Sequence, residues 1–494
     1  MTSFDPPSES LRRRIGRGIA WTFAGQIVRV GTQLASVLVL SRLLMPEDFG
    51  IVAMCSPVLA FTVLFQDLGL SQATIQKASI THDEVNCLFW INVAVAVLMA
   101  FAFIVAAPLV ARFYGEPRAG LLTQALSLQI VLFGLAAQHQ SLLSRRMEFQ
   151  KLMIINIVSG GVGFLAAILT AMHERSYWAI FAGTLATATF STVGVWYASK
   201  WRPTFPSWHK DAGQVLHFGA GLTGFNLINF FARNLDGILI GRFWGGGELG
   251  YYDRANKLLL FPLNQIMAPL SKVMIPALSR ENNNPESYRR AYINTISIVL
   301  LLVLPGIAFA TATSEVLIPV LLGRQWADSA EIFRALGFAG LLQALNNPAG
   351  WLFISQGRST EFMRWGFISS ATVVAAFIVG LPYGAIGVAI AYAIGEYIRT
   401  PLLWLYIGRK GPVRTRDIIL ATGPFILAGH IALAMTWMTK HLWSEDPLVL
   451  LTGSAACCSM IYLAVVVIFS SGRDTLQDAV STIASITSMR KRGS

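Results

Sequence analysis

Long apolar runs, broken by short polar or turn-forming stretches, fill almost the whole chain. A helix that crosses a bilayer needs about 20 apolar residues. Against that length the runs predict fourteen transmembrane helices, near residues 18–42, 50–70, 86–108, 120–142, 152–172, 177–198, 216–241, 251–271, 293–313, 331–355, 363–381, 384–407, 417–439 and 448–470. The connections are short and carry breakers such as Met45-Pro46-Glu47-Asp48 and Pro203-Thr204-Phe205-Pro206. The pattern predicts an all-α polytopic membrane protein.

Composition narrows the classes. Of 494 residues, 54% are hydrophobic and 13% charged, about half the ~25% charge of a soluble domain. A soluble enzyme, a disordered chain and a secreted disulfide module are excluded, and no segment leaves room for a globular side domain. The four cysteines, Cys55, Cys87, Cys457 and Cys458, fall in or beside spans and read as small core residues. The histidines are scattered without metal-ligand spacing, and no Gly-rich phosphate loop is present, so no resident cofactor is expected. Gly245-Gly246-Gly247 reads as a turn between spans. Arg12, Arg13, Arg14 and Arg17 lead into the first span without a small-residue cleavage site, which predicts a retained helix.

The net charge of +12 could signal nucleic acid, but in a membrane protein it more often marks cytoplasmic loops. With the N-terminus placed in the cytoplasm and the sides alternated, 25 of the 38 basic residues fall in cytoplasmic segments and 7 on the opposite side. That bias follows the positive-inside rule. It predicts a basic cytoplasmic N-terminus over 1–17, a first lobe over 18–200, a second over 201–408, two further spans within 409–470 and a basic cytoplasmic tail over 471–494. Six basic residues lie inside spans: Arg29, Arg233, Arg254, Lys257, Arg334 and Arg399.

The chain also aligns with itself at an offset of 200. Ser41-Arg42-Leu43-Leu44 and Asp48-Phe49-Gly50 match Gly241-Arg242-Phe243-Trp244 and Glu248-Leu249-Gly250, and with a small drift Tyr177-Trp178-Ala179-Ile180 matches Tyr383-Gly384-Ala385-Ile386. Six spans fill one repeat, an even number. Two six-helix bundles in parallel, related by a pseudo-twofold axis along the membrane normal, are therefore expected, with a substrate path between them.

The first span of each half carries one polar face. Gln26, Arg29, Gln33 and Ser36 stand at the positions that Asn226, Asn229, Arg233 and Asp236 occupy 200 residues later. At about 100° per residue these positions fall within an arc of roughly 80°. An Arg near mid-membrane costs at least ~2.5 kcal/mol on insertion scales. It must face protein, water or an anion; an interhelical pair is one reading, a hydrated cavity the other. In the eighth span Asp253, Lys257 and Asn264 share a face, with Arg254 beside it. Asp253 and Lys257 are one turn apart in the favourable acid-first order, so a local pair is the alternative there. Arg334 and Arg399, near span ends, are expected to snorkel to headgroups, and Asp67 either caps a helix end or faces the cavity. Six cations against four acids (Asp67, Asp236, Asp253, Glu396) suit an anionic substrate, for which phosphate or pyrophosphate is the natural candidate.

The segments Ser41-Arg42-Leu43-Leu44-Met45-Pro46-Glu47-Asp48-Phe49-Gly50, Phe65-Gln66-Asp67-Leu68-Gly69-Leu70-Ser71-Gln72-Ala73, and Gly250-Tyr251-Tyr252-Asp253-Arg254-Ala255-Asn256-Lys257 through Pro276-Ala277-Leu278-Ser279-Arg280 resemble the polysaccharide flippases. These belong to the multidrug/oligosaccharidyl-lipid/polysaccharide exporter superfamily, and the likeness is nearest to the colanic acid and succinoglycan exporters. It implies two six-helix bundles plus two extra helices in a bacterial inner membrane. It implies passage of an undecaprenyl-pyrophosphate-linked oligosaccharide to the periplasmic leaflet, alongside a polysaccharide polymerase and a chain-length regulator. Arg29 and Arg254 lie on the helices whose arginines serve the related lipid II flippases.

The expected substrate-binding set is Arg29, Arg233, Arg254, Lys257, Gln26, Gln33, Asn226 and Asn229, with Asp67, Asp236, Asp253 and Glu396 as candidates for H+ or Na+ coupling. A cation-coupled small-molecule exporter would present carboxylates, which the excess of cations argues against. A membrane-embedded polymerase or glycosyltransferase would carry a sizeable external loop, and no external segment here exceeds about 20 residues.

Overall fold

The computed structural model describes residues 11–66, 74–75, 80–205, 212–440, 446–478 and 481; for 11–24, 27, 58–66 and 212–233 it describes the backbone only. Among the described residues the regular elements are helical, with no strand. The first half holds α1 (Leu11–Leu43), α2 (Pro46–Gln66), α3 (His82–Tyr114), α4 (Pro117–Arg145), α5 (Phe149–His173) and α6 (Trp178–Ser199). There follow α7 (Ala212–Arg280), α8 (Pro285–Ala312), α9 (Ser314–Leu322), α10 (Ser329–Asn346), α11 (Ala349–Ser355), α12 (Ser359–Gly380), α13 (Gly384–Ile407), α14 (Thr415–Thr439) and α15 (Pro447–Ile468). Over the described residues every predicted span falls on helix; 67–70, the end of the second, lie outside them. Nine described stretches, two of them containing a break, are long and apolar enough to cross a membrane.

The sequence dictates where these helices stop. Thr81 caps α3: its hydroxyl accepts the Glu84 amide, and the Glu84 carboxylate accepts the Thr81 amide at 2.8 Å. Gly115 ends α3 in the left-handed region at φ 68°. Pro117 then opens α4, where a missing amide proton costs nothing. Two expectations are refined. The stretch 216–271 forms one helix interrupted at Gly245, whose φ of 84° and ψ of −173° mark the turn that the three glycines predict. The span read over 331–355 is split into α10 and α11 at Pro348, which lacks an amide proton to continue the ladder.

The chain forms two compact units, Met1–Gly250 and Tyr251–Ser494. In the first, α4 packs on α2, α3 and α6, α5 packs on α6, and α1 lies on α5. In the second, α10 packs on α8 and α13, α12 packs on α13, and α14 joins α8 and α15. The pairings α3–α4, α4–α6 and α5–α6 thus recur as α8–α10, α10–α13 and α12–α13, at positions the internal repeat makes equivalent. The drift in the repeat has a location. The first half passes from α3 to α4 through Gly115 and Glu116 alone, whereas the second inserts α9 and a 3-10 turn, Arg324–Trp326.

One turn is built twice. Met147 (φ 54°) and Gly357 (φ 68°) both adopt left-handed backbone. The following residues, Glu148 (φ −83°, ψ 48°) and Arg358 (φ −83°, ψ 46°), are nearly superposable in dihedral space. At each turn an arginine reaches the last residue of a neighbouring helix. Arg146 donates to the Ser199 carbonyl of α6 at 2.8 Å, and Arg358 to the Ile407 carbonyl of α13 at 3.3 Å. Such carbonyls have no partner within their own helix, so the guanidinium, joined at Ile407 by the Lys410 amide, satisfies the acceptor and the negative end of the dipole.

Candidate functional site

The polar face of α1 is open. Gln26 is half-buried, while Arg29 and Gln33 are exposed. Among the described residues Arg29 has no ion-pair partner. Beside that arc the helix is fixed by packing: Gly25 lies so close to Met153 of α5 that a Cβ there would collide with the methionine.

The corresponding positions on α7 are helical at Asn226, Asn229 and Arg233, and their side chains lie outside those described. Asp67 lies outside the described residues altogether. Asp236 is half-buried, and its carboxylate accepts the Gly237 amide at 2.8 Å.

Beyond the Gly245 break, Asp253 and Lys257 form an ion pair of 2.9 Å, with the lysine side chain 57% exposed. The local pair is the arrangement found, and Lys257 presents its ammonium on the same exposed side as Asn264. Arg254 is placed differently. It is buried, with its guanidinium carbon 5.8 Å from the centre of the Trp326 ring. Tyr251 meets the same indole edge-on, and Ser329 donates to the Tyr251 carbonyl at 3.2 Å. The structure thus shows two kinds of cation in this stretch, exposed Lys257 and enclosed Arg254.

Glu396 is enclosed too. It pairs with Arg399 one turn along α13 and accepts from the Asn346 amide of α10 at 3.0 Å. Asn346 also donates to Thr400 at 2.6 Å and accepts from the Trp404 indole at 3.1 Å. Arg399 is therefore tied into protein, with its side chain 12% exposed, instead of snorkelling. Arg334 pairs with Glu315 at 2.6 Å. Lys440 joins that pair from the end of α14 at 2.7 Å. Its hydrogen bond, helped by Arg334, holds the Glu315 carboxyl below the usual carboxylate range against the effect of burial. A similar triad of Glu47, Glu116 and Arg118 ties the start of α2 to the α3–α4 turn, and Arg118 lowers the Glu116 carboxyl.

One feature escapes single-residue reading. A Cβ on Gly50 would strike the Gly246 carbonyl, and a Cβ on Gly250 would strike the Pro46 carbonyl. Positions 46 and 246, and 50 and 250, are repeat equivalents, so the crossing is reciprocal, as in an isologous contact. The Gly50–Gly250 match at offset 200 is its trace in the sequence. The four cysteines are free thiols. Among the described residues no group of three His, Cys, Asp or Glu side chains is placed to hold a metal ion.

The whole chain resembles a solved transporter structure. The lipid II flippase MurJ in an inward closed conformation matches with a TM-score of 0.73 and 16% identity, covering 93% of this chain and 99% of that one. The fold and the spans define a multi-pass helical membrane protein. The profile of the family described as polysaccharide biosynthesis protein matches residues 39–331, and the chain belongs to that family. Among relatives, the lipopolysaccharide biosynthesis protein WzxC of Escherichia coli (strain K12) is 24% identical over 396 residues, 80% of each chain. The succinoglycan biosynthesis transport protein ExoT of Rhizobium meliloti (strain 1021) is 24% identical over 464 residues, 92% of this chain and 93% of the relative.

Proposed function

We propose that this chain flips an undecaprenyl-pyrophosphate-linked oligosaccharide from the cytoplasmic to the periplasmic leaflet of a bacterial inner membrane, with both termini in the cytoplasm. The observation that carries the reading is the open polar face of α1. Arg29 and Gln33 are exposed within a helix otherwise suited to hydrocarbon, and Arg29 has no ion-pair partner among the described residues. Facing lipid would cost the Arg at least ~2.5 kcal/mol; facing a hydrated path or an anion removes that cost. The relatives supply the cargo class. Two are named for lipopolysaccharide biosynthesis and succinoglycan transport, and the similar structure is that of a lipid II flippase.

In this reading Arg29, Arg233 and Lys257 hold the pyrophosphate. Arg254 joins them in a conformation that frees it from Trp326. Gln26, Gln33, Asn226 and Asn229 donate to and accept from sugar hydroxyls. The two halves rock about the central site. Asp67, Asp236, Asp253 and Glu396 are the acids through which H+ or Na+ would couple to that motion. A polysaccharide polymerase and a chain-length regulator receive the product.

The test is charge reversal. Arg29→Glu and Arg254→Glu are each expressed in a deletion strain, with exported polymer, lipid-linked intermediate and protein level measured. The expected result is normal insertion, loss of polymer and accumulation of the lipid-linked repeat unit. Normal export from both variants would overturn the assignment of the cationic face. Altered drug sensitivity with normal glycan export would favour the small-molecule exporter instead.

A further inference from the structure

A cleft of about 970 Å³ opens in the second unit between the start of α8, the first half of α14 and the end of α15. Its lining is mixed. Glu286, Arg289, Arg290 and Asp417 stand at the first turns of α8 and α14 together with Ile419 and Phe469, and Leu420 and Leu427 continue an apolar wall along α14. Ile419 and Leu420 are each 60% exposed. A charged mouth beside an apolar wall, inside a membrane-spanning bundle, is the profile of an amphiphile lying across the bilayer interface.

The charges specify which amphiphile. Arg289 and Asp417 already neutralise each other at 3.3 Å. Arg289 also donates to the Pro412 carbonyl, and Asp417 accepts the Arg414 amide at 2.9 Å. Glu286 and Arg290 are both exposed, and neither has an ion-pair partner among the described residues, although they are one helical turn apart. Among the charged lining side chains the signs balance, and one carboxylate and one guanidinium are left without an ion pair; Asp478, on the lining residue Asn294, adds a further carboxylate nearby. A purely anionic headgroup, or a pyrophosphate, would meet Glu286 unfavourably. A zwitterion with a phosphate and an ammonium satisfies both groups.

We propose that this cleft binds a zwitterionic phospholipid of the phosphatidylethanolamine type, with its phosphate on Arg290, its ammonium on Glu286 and an acyl chain along Leu420 and Leu427. The lipid would wedge α14 and α15 against α8. The site does not depend on the cargo of the transporter.

The full chain purified in mild detergent, then weighed by native mass spectrometry after incubation with phosphatidylethanolamine, phosphatidylglycerol or a polyprenyl phosphate, tests this. Wild-type protein should retain one phosphatidylethanolamine in preference to the other two. Glu286→Arg should move that preference toward phosphatidylglycerol, roughly fivefold per charge. Leu420→Trp should reduce retention by obstructing the acyl path along α14, while circular dichroism and a single elution peak show that it folds. Added phosphatidylethanolamine should raise the melting temperature of the wild type more than that of Leu420→Trp. Three results would overturn the proposal: no lipid retained by the wild type, a lipid preference that Glu286→Arg leaves unchanged, or retention of the polyprenyl phosphate above both phospholipids.

Discussion

Two polar clusters sit inside membrane-spanning helices, one on α1 and one between α10 and α13. Both contain an arginine and neutral amide side chains, yet they are built in opposite ways. Around α13, Glu396 and Arg399 pair, Asn346 bridges Glu396 and Thr400, and the Trp404 indole closes the remaining acceptor on Asn346. Arg399 also lies 5.9 Å from the centre of the Tyr392 ring. On α1, Arg29 and Gln33 stand exposed. A closed intramembrane network locks two helices in register. An open one leaves its donors for water or cargo, and in the proposed function that difference separates scaffold from site.

The sharpest way to break the comparison is to remove one member from each cluster and measure stability. Glu396→Ala strands the Arg399 charge in a buried setting, which costs about 3–5 kcal/mol. Thermal unfolding in detergent should show a large fall in melting temperature, and expression should drop. The double variant Glu396→Met with Arg399→Leu should recover most of the loss, because a buried pair contributes little net stability relative to packed apolar groups. By contrast Arg29→Leu should leave the melting temperature unchanged or raise it slightly, yet abolish polymer export. Equal destabilisation by Glu396→Ala and Arg29→Leu would show that α1 is as closed as α13.

The remaining effects are smaller. Gly50→Val should weaken the reciprocal crossing, since a Cβ there meets the Gly246 carbonyl; impaired export with normal insertion is expected, and a fully active Gly50→Val would remove that crossing from the account. Asp253→Asn leaves Lys257 exposed to water, so the change in stability should stay within about 0.5 kcal/mol, measurable by chemical unfolding. The smallest effect concerns pH. Glu315 has its carboxyl lowered by Lys440 and Arg334, so its contribution is present above the ordinary carboxylate range and lost as pH falls through the lowered value. Wild type and Glu315→Gln should therefore converge in melting temperature only under acid conditions, and a gap that persists there would contradict the triad.

The spans, the repeat and the family were legible because they rest on long-range averages: hydropathy over twenty residues, order over two hundred. Much of the site was not, because it depends on what lies across from a side chain. The spacing of Glu396 and Arg399 suggests a helical pair, but Asn346 lies fifty residues earlier and gives no local sign of bridging it. Arg254 and Lys257 look alike in sequence, and only the fold puts Trp326 over one of them. The insertion of α9 explains why the self-alignment drifts where it does.

The central claim is that the α1 face lines a hydrated path for an anionic cargo. Its most direct measurement uses single cysteines at positions 29, 33 and 400 in a cysteine-free background, treated in intact membranes with a membrane-impermeant thiol reagent. Arg29→Cys and Gln33→Cys should react, Thr400→Cys should not, and lipid-linked repeat units should slow the reaction at position 29. Position 29 as unreactive as position 400, in membranes with and without cargo, would contradict it.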